Sequence, residues 1–394
     1  MNDVAEVPFD QLLIKVIDNR GKTCPVVDAG IPLIATNCIK NDKLFPVFEK
    51  VRYVNEETML NWFRGHPKPG DILFVTKGTP GRVAWVPDPV NFCIAQDMVA
   101  LQVDETKVVP KYLFAALRSN TIQGEIENLH VGSLIPHFKK GDFGRLLIPV
   151  PNLDTQKYIG EMYFTLSYKI DLLHRNNKTL EEMAETLFRQ WFLDTEFNST
   201  INDVAEVLNG YAFKSSEFSS EGKNYVIKIK NIGGSSVNIS DCDRISDNTA
   251  NKTNNKFKVL SGDVLFAMTG AELGKMGVVG STTRSLWLNQ RVGSIKDRFN
   301  GSRYLAYLAL NSELGQDFIL NTASGSAQPN ISGVDISRCP FPSISLEQIE
   351  EKSEVLNNLF DKVIHNLGQI SILKETRDTL LPKLMSGQVR VKTH

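Results

Sequence analysis

The chain has 394 residues, of which 42% are hydrophobic and 23% are charged, and its formal net charge is −1 at pH 7. These values are ordinary for a globular protein of two or three domains, and a balanced charge gives no support by itself to nucleic-acid binding, which usually leaves a basic footprint. No run of 18 apolar residues and no signal-peptide pattern occurs, so we expect a cytoplasmic protein without a membrane span.

Residues 1–152 are predicted to form a first globular block. Short helices are expected near 59–63 and 110–120. Because short strands and helices are mixed without βαβ alternation, the pattern predicts an α+β fold. Runs bounded by Gly, Pro and Asp turns are typical of short strands, and they occur at 31–35, 71–75 and 83–86.

Residues 153–197 are predicted to contain a long helix of about 55–60 Å. The stretch 155–192 contains no proline. Its apolar side chains recur at alternating steps of four and three, which is the repeat of a coiled coil interrupted by one polar residue. The series is Ile159, Tyr163, Leu166, Ile170, Leu173, Asn177, Leu180, Ala184, Leu187 and Trp191.

Residues 198–343 are predicted to form a second block that repeats the first. The sequence of Pro69–Phe74 returns 192 positions later as Ser261–Phe266, and Pro149–Pro151 returns 191 positions later as Pro340–Pro342. A period this long is a domain plus a connector and not a solenoid repeat. Strands are expected at 225–229, 263–266 and 276–279.

Residues 344–388 are predicted to form a second long helix, followed by a short tail at 389–394. The same spacing of apolar positions recurs 193 residues later, again with one asparagine near the middle, which here is Asn366. Pro382 is expected to end or kink this helix.

We predict that the two helices pair antiparallel, so that a pseudo-two-fold axis relates the two halves. In this register Asn177 faces Asn366 and Leu173 faces Ile370. A buried asparagine costs stability but fixes the register. The alternative is that each helix packs only on its own block and leaves both asparagines exposed.

Two layers of this register combine an apolar residue with a basic one. Leu166 faces Arg377, and Trp191 faces Lys352. Both basic side chains are long enough to extend their charges to water, and this is the arrangement expected.

The sequence contains no recognisable catalytic or metal motif. Gly270–Met276 is similar to a phosphate-binding loop, but it has three residues between its glycines and Met276 replaces the Ser or Thr that binds Mg²⁺. The five cysteines form no CxxC pair, and HExxH, GxSxG and S-adenosylmethionine motifs are missing. We therefore predict a non-catalytic chain without a bound metal or cofactor.

Several motifs resemble the specificity subunit of type I restriction–modification enzymes. The stretch 323–332, Cys339–Pro342 and 346–349 resemble the end of a target-recognition domain that continues into a long helix. The first half carries a weaker copy at 132–137 and 148–151, in which His137 stands where the second half has Asn330. The helix ends at 180–192 and 380–387 resemble the family's two helices.

This resemblance implies that each block reads one half of a split double-stranded DNA target. The helices would set the spacing and dock two modification subunits, and restriction subunits would join the complex. S-adenosylmethionine, ATP and Mg²⁺ would act in these partners. The alternatives are an autonomous DNA-modifying enzyme with an unrecognised site, and a coiled-coil scaffold protein.

Candidate DNA contacts are polar or basic side chains in Gly-rich loops, because these reach base edges and phosphates. In the first block they are Lys77, Thr79, Arg82, Gln96, Ser133, His137, Lys139 and Lys140. In the second block they are Lys228, Lys230, Asn231, Thr269, Lys275, Asn289, Gln290, Arg291, Ser324, Ser326 and Gln328. The alternative for each is a solvated loop side chain.

Overall fold

The computed structural model describes residues 4–19, 23–129, 136–323 and 329–389. The chain divides into two compact units. Unit 1 comprises Met1–Asp171 with Leu373–His394, and unit 2 comprises Leu172–Ile372. Each long helix contributes one part to unit 1 and the other part to unit 2.

Unit 1 is an α+β body, as predicted. Its helices are α1 (Glu56–Asn61), α2 (Pro110–Leu117), α3 (Asn120–Leu129) and the beginning of α4 (Leu153–Trp191). Its strands are β1 (Ala5–Pro8), β2 (Leu13–Ile17), β3 (Ile31–Ile34), β4 (Arg52–Val54), β5 (Ile72–Val75), β6 (Val83–Trp85), β7 (Cys93–Ile94), β8 (Met98–Val103) and β9 (Leu147–Val150).

Three small sheets organise unit 1. The strand orders are β2-β8-β5-β6 and β4-β3-β7, and β1 pairs with β9. The β5 strand is buried along its whole length, because one face packs on α2 and its neighbours and the other face on a second apolar cluster. A continuous apolar run such as Ile72–Val75 is the pattern expected for a strand covered on both faces.

Unit 2 repeats this plan with additional strands. Its helices are α5 (Ile201–Val204), α6 (Asp247–Lys252), α7 (Ser302–Asn311), α8 (Glu313–Ala323), α9 (Gly333–Ser337) and most of α10 (Leu346–Met385). Its strands are β10 (Ser199–Thr200), β11 (Ala205–Asn209), β12 (Asn224–Ile227), β13 (Ile232–Gly233), β14 (Ser236–Val237), β15 (Asp243–Ile245), β16 (Lys258–Val259), β17 (Val264–Ala267), β18 (Met276–Val278), β19 (Ser285–Leu288), β20 (Val292–Asp297) and β21 (Pro340–Phe341).

The sheets of unit 2 correspond to those of unit 1. The order β11-β20-β17-β18 matches β2-β8-β5-β6 and continues into β14 and β13, while β15-β12-β19 matches β4-β3-β7 and gains β16. The β10-β21 pair matches β1-β9. The sequence repeat is therefore a repeat of topology.

Each unit packs closely against its own part of the long helices. In unit 1, a Cβ on Gly160 of α4 would lie 2.6 Å from the Tyr112 backbone nitrogen, so only glycine permits this approach. Gln156 fixes the beginning of α4, because its side chain accepts from Val109 N at 2.9 Å and donates to Pro151 O at 2.8 Å. In unit 2, Phe360 of α10 stacks on the Tyr304 ring with 4.2 Å between ring centroids.

The ends of the long helices differ from two expectations. The α10 helix continues to Met385, three residues beyond Pro382, and Gly387, whose φ is 72°, lies in the turn that follows. At the end of α4, Phe188 and Phe192 are buried, whereas the predicted seam residues Leu187 and Trp191 are only partly buried. The reason is that this end packs on the apolar core of unit 2. In the described residues, no helix has the length and apolar character that a membrane crossing needs.

Candidate nucleic-acid interface

The candidate loops of unit 2 are brought together around the β17–β18 connection. Thr269 pairs with Asn330 in an isolated β-bridge, and its hydroxyl donates to Pro329 O at 3.0 Å. Met268 N donates to Arg291 O at 3.1 Å, and Ala267 N donates to Lys275 O at 2.9 Å. Three of the predicted residues, Thr269, Lys275 and Arg291, therefore lie next to one another although they come from different parts of the sequence.

The side chains in this cluster differ in how freely they project. Gln290 and Arg291 are exposed. Lys275 forms an ion pair with Glu272, so its charge is already balanced. Asn289 is only 9% exposed, and its Oδ1 faces Arg291 N at 3.5 Å. The exposed pair Gln290 and Arg291 is thus the part of the cluster best placed to contact a partner.

The side chain of Asn231 stabilises its own loop, which the sequence did not indicate. It is 1% exposed. Its Nδ2 donates to Asn238 O at 3.1 Å and to Asp241 O at 2.9 Å, while its Oδ1 accepts from Lys228 N at 2.9 Å. Because every polar atom of this amide is engaged inside the loop, we remove Asn231 from the candidate contact surface.

Lys228 and Lys230 form an ion-pair network with two carboxylates. Lys228 pairs with Asp243, and Lys230 lies 3.3 Å from Asp243 and 3.6 Å from Asp241. The hydrogen bond from Lys228 is the main reason that the pKa of Asp243 is lowered. The hydrogen bond to Asp243 raises the pKa of Lys230. A phosphate would have to compete with these carboxylates for both lysines.

The matching loops of unit 1 form an equivalent arrangement. Lys77 pairs with His137 in an isolated β-bridge, as Thr269 does with Asn330. Gly78 N donates to Pro136 O at 3.0 Å, and Phe138 N donates to Thr76 O at 2.8 Å. The two units therefore present different side chains at the same structural position.

The other candidates of unit 1 lie around this bridge or beyond it in the chain. Thr79 and Arg82 are partly exposed in the β5–β6 connection, whereas Gln96, Lys139 and Lys140 are exposed. Ser133, Ser324, Ser326 and Gln328 lie outside the described residues.

The structure brings Asn177 and Asn366 together in unit 2. Asn366 Nδ2 donates to Asn177 Oδ1 at 2.8 Å, and Asn177 is 5% exposed. Leu173 and Ile370, the neighbouring positions in the register, are buried. Near the other end of this helix pair, Lys352 Nζ lies 5.3 Å from the centroid of the Trp191 ring. The antiparallel register therefore holds within unit 2.

Arg377 departs from expectation. It was expected to extend its charge to water, but it is only 5% exposed within unit 1. Its Nη1 donates to Ser167 Oγ at 3.4 Å, its Nε donates to Asp378 Oδ1 at 2.8 Å, and its Cζ lies 5.4 Å from the Tyr163 ring centroid. These polar and aromatic contacts stabilise the charge inside the unit.

The stretch that is similar to a phosphate loop and the five cysteines have defined places in the fold. Gly270–Met276, the stretch similar to a phosphate loop, connects β17 to β18 as a hairpin. No group of three or more His, Cys, Asp or Glu side chains is arranged to hold a metal in the described ranges. All five cysteines are free thiols, and burial raises the pKa of Cys93 and Cys242 to about 11.

Comparison with known proteins assigns the family. The family described as the type I restriction modification DNA specificity domain matches residues 24–182 and again residues 194–373. The chain therefore belongs to this family, and it is a DNA-specificity subunit of a type I restriction–modification system. Subunits of this family are the non-catalytic component and assemble with other subunits and DNA.

Similar proteins cover almost the whole chain. The type I restriction enzyme MjaIX specificity subunit of Methanocaldococcus jannaschii is 25% identical over 424 residues, which span 99% of this chain and 96% of that protein. The MjaVIII specificity subunit of the same organism is 22% identical, over 92% and 86% of the two chains. The crystal structure of an S subunit from M. genitalium has a TM-score of 0.59 at 17% identity, covering 98% and 97%, which supports the fold.

Proposed function

We propose that units 1 and 2 each read one half of a split double-stranded DNA target. The observation that carries the proposal is the double match to the DNA specificity domain, combined with different side chains at equivalent positions of the two copies. Lys77 and His137 in unit 1 correspond to Thr269 and Asn330 in unit 2. Since base edges are distinguished by the donors and acceptors that meet them, different side chains favour different half-targets.

The helix pair is proposed to set the spacing between the half-targets and to dock two modification subunits. An asparagine layer supports a fixed register, because a shifted pairing would leave the buried amide of Asn177 without its partner Asn366. In unit 2 an open groove of about 590 Å³ runs along the pair. It offers amide, hydroxyl, acidic and basic groups to a partner, from Asn176, Thr179, Leu180, Asp361, Lys362, His365 and Asn366.

Catalysis is proposed to reside in the partner subunits. S-adenosylmethionine would be used by the modification subunits to methylate adenine, while ATP and Mg²⁺ would be used when restriction subunits join. In this proposal the chain supplies only recognition and assembly.

The test is to co-express the chain with its modification subunits and map methylated adenines in DNA treated with the purified complex. We expect a single motif with two defined halves separated by a fixed number of unspecified bases. The chain alone, incubated with DNA, ATP and S-adenosylmethionine, serves as the control and should leave DNA unmodified. A continuous motif would contradict the split target, and turnover by the chain alone would favour an autonomous enzyme.

A further inference from the structure

Unit 2 contains a tyrosine that is flanked by two arginines from neighbouring strands. Tyr225 lies in β12, and Arg244 is its cross-strand partner in β15. Arg284 directly precedes β19, the strand on the other side of β12. The Cζ atoms of Arg244 and Arg284 lie 5.2 and 5.0 Å from the Tyr225 ring centroid. Both distances are within the range of a cation–π interaction.

The two arginines differ in how they are held. Arg284 is partly buried, and its Nη1 donates to Ile239 O at 2.9 Å, so one edge of its guanidinium is fixed to the protein. Arg244 is exposed, and the Tyr225 ring is its side-chain contact in the described chain. The Arg244 guanidinium therefore lies beside the Tyr225 ring at the exposed surface of unit 2, where a bound anion can reach it.

The nearby carboxylates do not neutralise Arg244. Asp241 and Asp243 are already engaged by Lys228 and Lys230. Because arginine stays protonated in proteins, the Arg244 side chain carries a positive charge that a bound anion would balance. A planar guanidinium with a fork of donors matches the oxygens of a phosphate particularly well.

Tyr225 lies near the loop Asn289–Arg291, which contains the exposed candidates Gln290 and Arg291. Tyr225 is three residues before Lys228, and Asn289 N donates to Ile227 O at 3.1 Å. Tyr225 pairs with Leu286, which is three residues before Asn289. At about 3.3 Å per residue along a strand, Tyr225 therefore lies about 10 Å from the loop Asn289–Arg291. A DNA strand advances about 3.4 Å per nucleotide, so this distance corresponds to about three nucleotides.

Unit 1 does not contain the same feature. In its matching strand pair, Pro32 of β3 lies opposite Tyr53 of β4, so neither the stacked ring nor the arginine is present at these positions. The feature therefore belongs to unit 2 and is not a requirement of the shared topology.

We propose that Arg244, held on Tyr225 and supported by Arg284, binds a backbone phosphate of the DNA that unit 2 reads. This proposal rests on the proposed function and adds a positioning contact that carries no sequence information of its own. Phosphate contacts of this kind fix the register of a protein on the duplex, while base contacts select the sequence.

The test uses the full chain assembled with its modification subunits. Binding is measured by fluorescence anisotropy from 50 to 200 mM salt, on a duplex carrying the mapped target and on a scrambled duplex. Arg244→Ala is compared with wild type, with Arg244→Lys, and with Lys252→Ala, which removes an exposed positive charge from α6 of the same unit. The urea midpoint of each variant verifies folding.

Loss of one phosphate contact should weaken binding of Arg244→Ala about tenfold at 50 mM salt. The plot of log affinity against log salt should become less steep by about 0.9. The affinity lost by Arg244→Ala relative to wild type should therefore shrink about 3.5-fold by 200 mM salt. Both duplexes should be affected, Arg244→Lys should recover part of the slope, and Lys252→Ala should match wild type.

An unchanged slope in a folded Arg244→Ala complex would overturn the phosphate contact, as would a loss confined to the target duplex. Failure of the wild-type complex to prefer the target would instead reject the proposed function, before any variant is compared.

Discussion

Glu181 is a half-buried carboxyl on α4 whose charge should lower the stability of unit 2. Burial, with smaller contributions from the neighbouring Glu185 and Glu182, raises the pKa of Glu181 to about 7, although a hydrogen bond with Ser235 opposes the change. Because the folded state binds this proton more tightly than the unfolded state, protonation of Glu181 stabilises the fold. This contribution to stability is complete below about pH 4.5. It is lost as the pH rises through 7.

The change from 4.5 to about 7 corresponds to at most about 3 kcal/mol, since one pKa unit is worth about 1.4 kcal/mol. Glu181→Gln removes the charge and keeps the shape. We expect this substitution to stabilise unit 2 by up to about 3 kcal/mol at pH 8 and by less than about 1 kcal/mol at pH 5.

Hydrogen exchange of unit 2 peptides during a urea titration measures this difference locally. Glu182→Gln is the matched control, because Glu182 is exposed and its ion pair with Lys178 spans 3.7 Å on the surface. Such a pair contributes less than about 1 kcal/mol, so its removal should have a small effect at both pH values. An equal gain for Glu181→Gln at pH 5 and pH 8 would refute the proposed burial penalty.

Three further predictions concern the helices and the loops. Asn366→Leu should destabilise unit 2 by about 1–3 kcal/mol, because it leaves the buried Asn177 without its donor. The double variant that also carries Asn177→Leu should recover most of this stability, as measured by urea unfolding. Gly160→Ala should cost unit 1 about 1–3 kcal/mol by overpacking against Tyr112, seen as a lower urea midpoint, and an unchanged midpoint would contradict that packing. Arg291→Ala should weaken DNA binding of the assembled complex and alter its salt dependence, whereas unchanged binding in a salt titration would remove this residue from the surface.

The architecture was readable from the sequence because it depends on periodic and repeated features. Alternating steps of four and three identify the long helices, and one asparagine near the middle of each defines the register that unit 2 shows. Side-chain burial at the end of α4 was less predictable. Phe188 and Phe192 replace Leu187 and Trp191 as the most buried positions, because the α4 end packs on the apolar core of unit 2 and not only on the facing helix.

The contact surface was only partly predictable, because sequence does not reveal what a polar loop residue already binds. Asn231 met the same compositional criteria as Gln290, yet its amide is fully used inside a turn. The group formed by Tyr225, Arg244 and Arg284 was missed because its members are far apart in the sequence. Strand pairing in the folded sheet brings Arg244 and Arg284 to Tyr225, and no spacing along the chain connects them.

The proposed function requires that the two units read separate halves of one DNA target. The most direct test is to replace the second block, residues 198–343, with the corresponding block of a similar specificity subunit. The adenines that the assembled complex methylates are then mapped. The prediction is that one half of the motif changes while the other half and the spacing persist. A motif that stays unchanged, or one that changes in both halves, would contradict independent reading by the two units.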